Sequence, residues 1–190
     1  MSRPIELVIF DCDGVLVDSE RLAIEVDVVV MAELGWPLSF EEVVDLFMGR
    51  SHADVTAIIE EHLVMKLPPD WGEEFRPLYE EAFKALQPVA GVEDALDRLT
   101  VPTCVASSGS HRTIRRTLER VGLYERFKGR IFSASDVARG KPAPDLFLDA
   151  AEMLDTPPEA CLVVEDSPFG IEAARAAGMR ALAYAGGGLI

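Results

Sequence analysis

The chain has 190 residues, 49% of them apolar and 27% charged, and a formal net charge of −15 at neutral pH. That length supports a sizeable buried core, as one domain or as a core with a modest insertion. The acidic balance argues against nucleic acid or an anionic membrane as the main partner, yet leaves a phosphate ligand open, because local donors and a metal ion can create an electropositive site in an acidic protein.

Leu7-Val8-Ile9-Phe10 is a short apolar run of bulky and β-branched residues, the pattern of a strand buried on both faces of a parallel sheet. Beyond Asp18 the pattern becomes helical. Ser19 reads as the N-cap of a helix running to about Leu34 and closed by Gly35 and Pro37. A second helix is expected from Ser39 to Phe47, with Ser39 and Glu42 in capping-box relation. A third runs from Ser51 to about Met65 and a fourth from about Trp71 to Leu86, separated by Pro68-Pro69. Four helices inserted after a lone strand predict a separate helical subdomain over residues 18–88, with residues 1–17 and 89–190 forming the core.

From Gly91 onward strands and helices alternate: helix 92–99, strand 103–106, helix 111–121, strand 130–132, helix 143–154, strand 161–164, helix 168–177 and strand 180–184. That alternation predicts an α/β fold, a doubly wound parallel sheet. Cys12, Cys104 and Cys161 lie in or beside apolar runs with no metal-ligand spacing and read as buried, reduced thiols of a cytoplasmic protein. No apolar run is long enough to span a bilayer, and the amino terminus lacks the features of a secretion signal.

Ligands of such sheets gather at the carboxyl ends of the strands. Four clusters fall there: Asp11 with Asp13, Ser107-Ser108-Gly109, Lys141, and Glu165-Asp166. Two carboxylates where a buried strand opens into a loop need a cation or a proton to offset their repulsion, although one Asp before Gly14 would suit a plain turn. Asp11 has the chemistry of a nucleophile toward phosphorus and Asp13 that of an acid and base for the leaving group and the water. Ser107 reads equally as a helix cap and as a phosphate donor. Lys141, alone, reads more readily as a solvated loop residue, and Glu165-Asp166-Ser167 as a turn with an N-cap. Together the clusters predict an oxygen-ligated Mg²⁺ site on Asp11, Asp13, Glu165 and Asp166, with Ser107, Ser108, Gly109 and Lys141 on a phosphoryl group.

The segments FDCDGVLVDSE, VASSGS, GKPAPD and VVEDSPFGIEAARAAGM resemble the four ordered motifs of the haloacid dehalogenase-like hydrolases, and the all-helical insertion is similar to that of their β-phosphoglucomutase-like, sugar-phosphatase branch. The resemblance implies a core of strand order 5-4-1-2-3 with a mobile helical-bundle cap. It also implies Asp11 as nucleophile, Asp13 as acid and base, and Mg²⁺ held by Asp11, the Asp13 carbonyl and Asp166. The family continues beyond the strand at 181–184, which leads us to expect that Gly186–Ile190 is not a natural end.

Asp13 favours phosphoryl transfer, because a dehalogenase forms its ester at carbon and has no leaving alkoxide to protonate. A phosphonatase would need a buried cap lysine, and Lys66 and Lys84 carry no such mark. A phospho-acceptor signalling domain fits less well, since its phosphorylated Asp follows the third strand. The mutases of the branch carry a histidine where this chain has Ala23, and an arginine where it has His52. Both departures favour a phosphatase for a sugar or sugar-acid phosphate over the mutase, with a phosphoglycolate-type phosphatase as runner-up. Arg50 and His52, in the turn Gly49–His52, are the candidates for contacts with the rest of the substrate. The expected partner is a small phosphorylated metabolite, the expected cofactor Mg²⁺, and the expected state a monomer.

Overall fold

The computed structural model describes residues 3–48, 50 and 52–185, with the backbone alone at 52 and 53. The chain divides into two compact units, Met1–Asp18 with Leu86–Ile190, and Ser19–Ala85.

The first unit is built on a five-stranded parallel sheet: β1 (Leu7–Phe10), β2 (Thr103–Ser107), β3 (Ile131–Ser133), β4 (Cys161–Glu165) and β5 (Arg180–Ala183), in the spatial order β3-β2-β1-β4-β5. All four residues of β1 are buried, which explains why it reads as an unbroken apolar run rather than an alternating one. Between the strands lie α5 (Val92–Arg98), α6 (His111–Arg120), the short α7 (Tyr124–Phe127), α8 (Asp145–Met153) and α9 (Pro168–Ala176). One core cluster joins Leu7 and Ile9 of β1 to Cys104 and Cys161 on its neighbours and to Phe147 of α8. Each such side chain contributes about 1.5–3 kcal/mol on burial. The three cysteines are buried and unbridged.

Register then delivers the chemistry. Phe10 pairs with Val105 on one side and Val164 on the other, so Asp11, the next residue, leaves the sheet where β2 and β4 also approach their ends. A tight turn follows, with Gly14 in the left-handed region at φ 73° and its N–H bonded to Val17 O at 2.9 Å, a conformation that favours glycine. Asp18 N donates to Gln87 O and Val89 N to Leu16 O, each at 3.0 Å, so the outgoing and returning chains pair antiparallel.

The second unit contains α1 (Glu20–Glu33), α2 (Phe40–Phe47), α3 (His52–Leu63) and α4 (Arg76–Ala82), with 3-10 turns at Glu73–Phe75 and Phe83–Ala85 flanking α4. The expected Ser39–Glu42 capping box is present. Three expectations need correction. Ser19 does stand at the N-cap position of α1, but with φ −88° and ψ −30° its side chain makes no capping bond. The fourth helix is shorter than the 71–86 span, since Pro77 lacks an N–H and is tolerated only in a first turn, which starts α4 at Arg76. The third stops at Leu63, where Val64 turns left-handed at φ 53°. The expected incomplete ending, Gly186–Ile190, lies outside the described residues.

Candidate active site

Asp11 is buried at the end of β1. Its Oδ1 accepts a hydrogen bond from Lys141 Nζ at 2.5 Å, and the same ammonium donates to Glu165 Oε1 at 2.7 Å and to Ala106 O at 3.1 Å. Lys141 is thus no solvated loop residue: its side chain is 5% exposed, and its ammonium sits 5.0 Å from the ring centre of Phe147. Three strands therefore aim at one nitrogen, Asp11 following β1, Ala106 on β2 and Glu165 on β4.

Glu165 is held in turn by Ser167, whose N–H and Oγ donate to its Oε2 at 2.8 and 2.9 Å. Ser167 caps α9 by accepting from Gly170 N at 3.0 Å. A Cβ at Gly170 would stand 1.8 Å from Glu165 Oε1, so glycine is what lets the carboxylate lie against the helix. Both Glu165 oxygens are thus engaged by protein donors, Oε1 by one and Oε2 by two. Asp166, the next residue, is half-buried and stays the better candidate ligand.

The buried charges do not balance. Lys141 is one cation between two buried carboxylates. Burial alone would lower its pKa, but Asp11 and Glu165 outweigh that and hold it raised, so the ammonium keeps its proton. The Asp11 pKa is raised chiefly by burial; Lys141 opposes the shift, and Glu165 and Asp13 add to it. A surplus of negative charge lined by oxygen donors suits a hard divalent cation. Among the described residues no group of three or more His, Cys, Asp or Glu side chains forms a ready-made metal cage.

Ser107 is buried at the end of β2, and its Oγ accepts from Gly109 N at 3.1 Å. It does not cap the next helix. Ser110 does, accepting from Thr113 N at 3.2 Å, which leaves the Ser107 hydroxyl hydrogen for another oxygen. Gly109 O accepts from Ser133 Oγ at 2.6 Å, fixing the loop to the end of β3. Ser108 and Asp13 are exposed, as suits groups that meet a substrate from solvent.

In the helical unit, Arg50 is exposed and lines a cavity of about 520 Å³. Gly49 and Ser51 lie outside the described residues, and of His52 only the backbone, at the start of α3, is described. The same cavity exposes two side chains that sequence reasoning passed over, Asp27 of α1 and Tyr79 of α4, whose phenol donates to Asp27 Oδ1. A signal was available: Asp27 is a lone acid among Val26, Val28, Val29 and Val30. Ser167 caps α9 as expected, but its hold on Glu165, and the space that Gly170 leaves for that carboxylate, were missed.

Known proteins resemble this chain along most of its length. The haloacid dehalogenase-like hydrolase family matches residues 5–178. A 6-phosphogluconate phosphatase of Escherichia coli K12 is 33% identical over 181 residues, covering 94% of this chain and 81% of that protein. A probable pseudouridine-5'-phosphatase of Drosophila melanogaster is 35% identical over 189 residues, covering 94% and 80%. Among solved structures, a haloacid dehalogenase-like protein of unknown function from Agrobacterium tumefaciens C58 superposes with a TM-score of 0.90 at 37% identity, covering 97% of this chain and 85% of that one. With a family match across nearly its whole length and relatives of this closeness, the chain belongs to the haloacid dehalogenase-like hydrolases.

Proposed function

We propose that this protein is a Mg²⁺-dependent phosphatase that hydrolyses a small phosphorylated metabolite, a sugar or sugar-acid phosphate, through an aspartyl-phosphate on Asp11. The observation that carries the reading is the buried Asp11–Lys141–Glu165 chain of contacts at the mouth of β1. A carboxylate held this way has one oxygen fixed by an ammonium, which orients the group and would also face phosphoryl oxygens as charge develops on them. The relatives' names give 6-phosphogluconate and pseudouridine 5'-phosphate, both small phosphorylated metabolites.

In the first step a carboxylate oxygen of Asp11 bonds to phosphorus while the ester oxygen leaves and takes a proton from Asp13. In the second, water attacks the same phosphorus, Asp13 takes its proton, and the Asp11–phosphorus bond breaks to release phosphate. Ser107 and the Ser108–Gly109 backbone hold phosphoryl oxygens, and Lys141 offsets their charge. Asp11, the Asp13 carbonyl and Asp166 would hold Mg²⁺, which when bound neutralises charge on the phosphoryl group. The helical unit acts as a cap whose residues, Arg50 and His52 among them, read the non-reacting part of the substrate. We take the protein to act in the cytoplasm as a monomer; among the described residues no helix is long and apolar enough to cross a membrane.

Asp11→Asn is the direct test, because an amide is a poor nucleophile and a poor metal ligand. The variant should keep its circular dichroism spectrum and lose Mg²⁺-dependent phosphate release from a panel of phosphorylated metabolites. Substantial turnover by a pure preparation would overturn the assignment.

A further inference from the structure

Ser133 ends the edge strand β3 and pairs in register with Ser107, which ends β2. Ser133 is buried, and a buried hydroxyl is costly unless it is bonded. Its proton goes to Gly109 O at 2.6 Å, since a carbonyl only accepts, and its Oγ accepts from Ser135 N at 3.1 Å. Gly109 N donates to Ser107 Oγ at 3.1 Å. Two serines on neighbouring strand ends thus grip Gly109 by both of its polar groups.

A second tie lies two residues further on. His111 opens α6, and its Nε2 lies 2.6 Å from Asp136 Oδ2. An ionised carboxylate only accepts, so the ring donates. Asp136 closes the 3-10 turn Ala134–Asp136, which Ser133 caps, and the Ser133 N–H donates to the same Oδ2 at 3.4 Å. The turn therefore holds the stretch 109–111 at two points, and five residues beyond Asp136 the chain reaches Lys141. The loop of Ser107 and the segment that carries Lys141 share this one anchor. Both partners of the His111–Asp136 pair are exposed, so the pair adds little to stability, and what it supplies is position.

We propose that Ser133 and Asp136 are positioning residues for phosphate binding, one gripping Gly109 and the other His111, which together hold the loop of Ser107 to the segment leading to Lys141. The inference rests on the phosphatase reading and deepens it: these residues act through Gly109 and His111, not on the substrate itself. Charge gives the test its sign. Removing the Asp136 carboxylate from beside an anion site would by charge alone tighten phosphate binding, whereas releasing the loop weakens it.

The experiment is calorimetric titration of inorganic phosphate, with Mg²⁺ present, into the wild type and its variants. Losing one tie, in Ser133→Ala, Asp136→Ala or His111→Ala, should raise Kd about three- to tenfold, the scale of one hydrogen bond. Asp136→Asn keeps an acceptor and should stay within about twofold of the wild type. The double variant His111→Ala/Asp136→Ala should lose no more than either single variant, because the two side chains share one bond. With p-nitrophenyl phosphate the losses should fall on KM more than on kcat. Urea midpoints of the His111 and Asp136 variants should match the wild type. An Asp136→Ala variant that binds phosphate as tightly as the wild type or tighter would overturn the inference, as would additive losses in the double variant. These results decide the matter even if Ser133→Ala fails to fold. Calorimetry needs no turnover: a wild type that binds phosphate but hydrolyses no ester refutes the phosphatase reading alone, with the ties still judged by Kd, and one that binds no phosphate refutes both.

Discussion

Replacing Gly170 by alanine should destabilise this protein and damage its site, although the change touches neither Asp11 nor Lys141. Helix propensity alone gives the opposite sign, since alanine is favoured over glycine in a helix by about 1 kcal/mol. The new Cβ, however, would lie 1.8 Å from Glu165 Oε1, 1.9 Å from Cδ and 2.4 Å from Oε2. Reaching an ordinary contact requires the carboxylate to move by about 1.6 Å. Its bond to Lys141 is 2.7 Å and those to Ser167 are 2.8 and 2.9 Å, so a shift of that size breaks them. Glu165 is 1% exposed, and water does not replace what is lost. Charge-assisted bonds of this kind contribute roughly 1.5–3 kcal/mol, and disrupting a buried ion pair costs about 3–5 kcal/mol. We expect a net loss of about 3 kcal/mol by urea denaturation. Phosphate release should fall by roughly 10²-fold or more, the scale for losing one electrostatic stabiliser. Placed on a Glu165→Ala background, where the space is empty, the same substitution should be neutral or slightly stabilising. A single Gly170→Ala variant as stable and as active as the wild type would refute the packing account of how Lys141 is aimed.

Asp13→Asn should reduce hydrolysis of sugar phosphates by roughly 10²–10⁴-fold and of p-nitrophenyl phosphate much less, because an aryl oxide needs little protonation; equal losses in single-turnover rates would count against Asp13 as the acid. Val64 is a β-branched residue at φ 53° and 89% exposed, so Val64→Asn should raise stability by about 1 kcal/mol in urea, and a fall in the midpoint would show that the valine makes a contact worth more than its strain.

The elements most legible in the sequence are those whose local pattern has a single physical solution. An unbroken apolar run such as 7–10 is compatible with a strand covered on both faces, and Cys161–Val164 repeats the pattern for its neighbour β4. Ser39 and Glu42 announce a helix start because the two reciprocal bonds need only residues three apart. Asp11, Ser107, Lys141 and Glu165 could be collected in advance because parallel strands deliver their carboxyl ends to one edge. The ends of the fourth helix and the left-handed Val64 were not legible, since local propensity does not say where packing stops a helix.

What the linear pattern decided by itself is therefore which residues arrive at the sheet edge: periodicity sets the strands, and parallel pairing brings Asp11, Ser107 and Glu165 to neighbouring ends. What only the tertiary structure decided is how their charges are shared. Lys141 is 130 residues from Asp11 in sequence, and nothing local states that its ammonium will be buried between two carboxylates. Nor does the sequence show that Glu165 is turned toward that ammonium by Ser167, in a space left open by Gly170. The same holds for Asp27 and Tyr79, 52 residues apart, whose pairing depends on two helices meeting. Periodicity acts over a few residues and is written in them. The protonation and aim of a buried group depend on every charge and dipole that folding brings near, and those come from all along the chain.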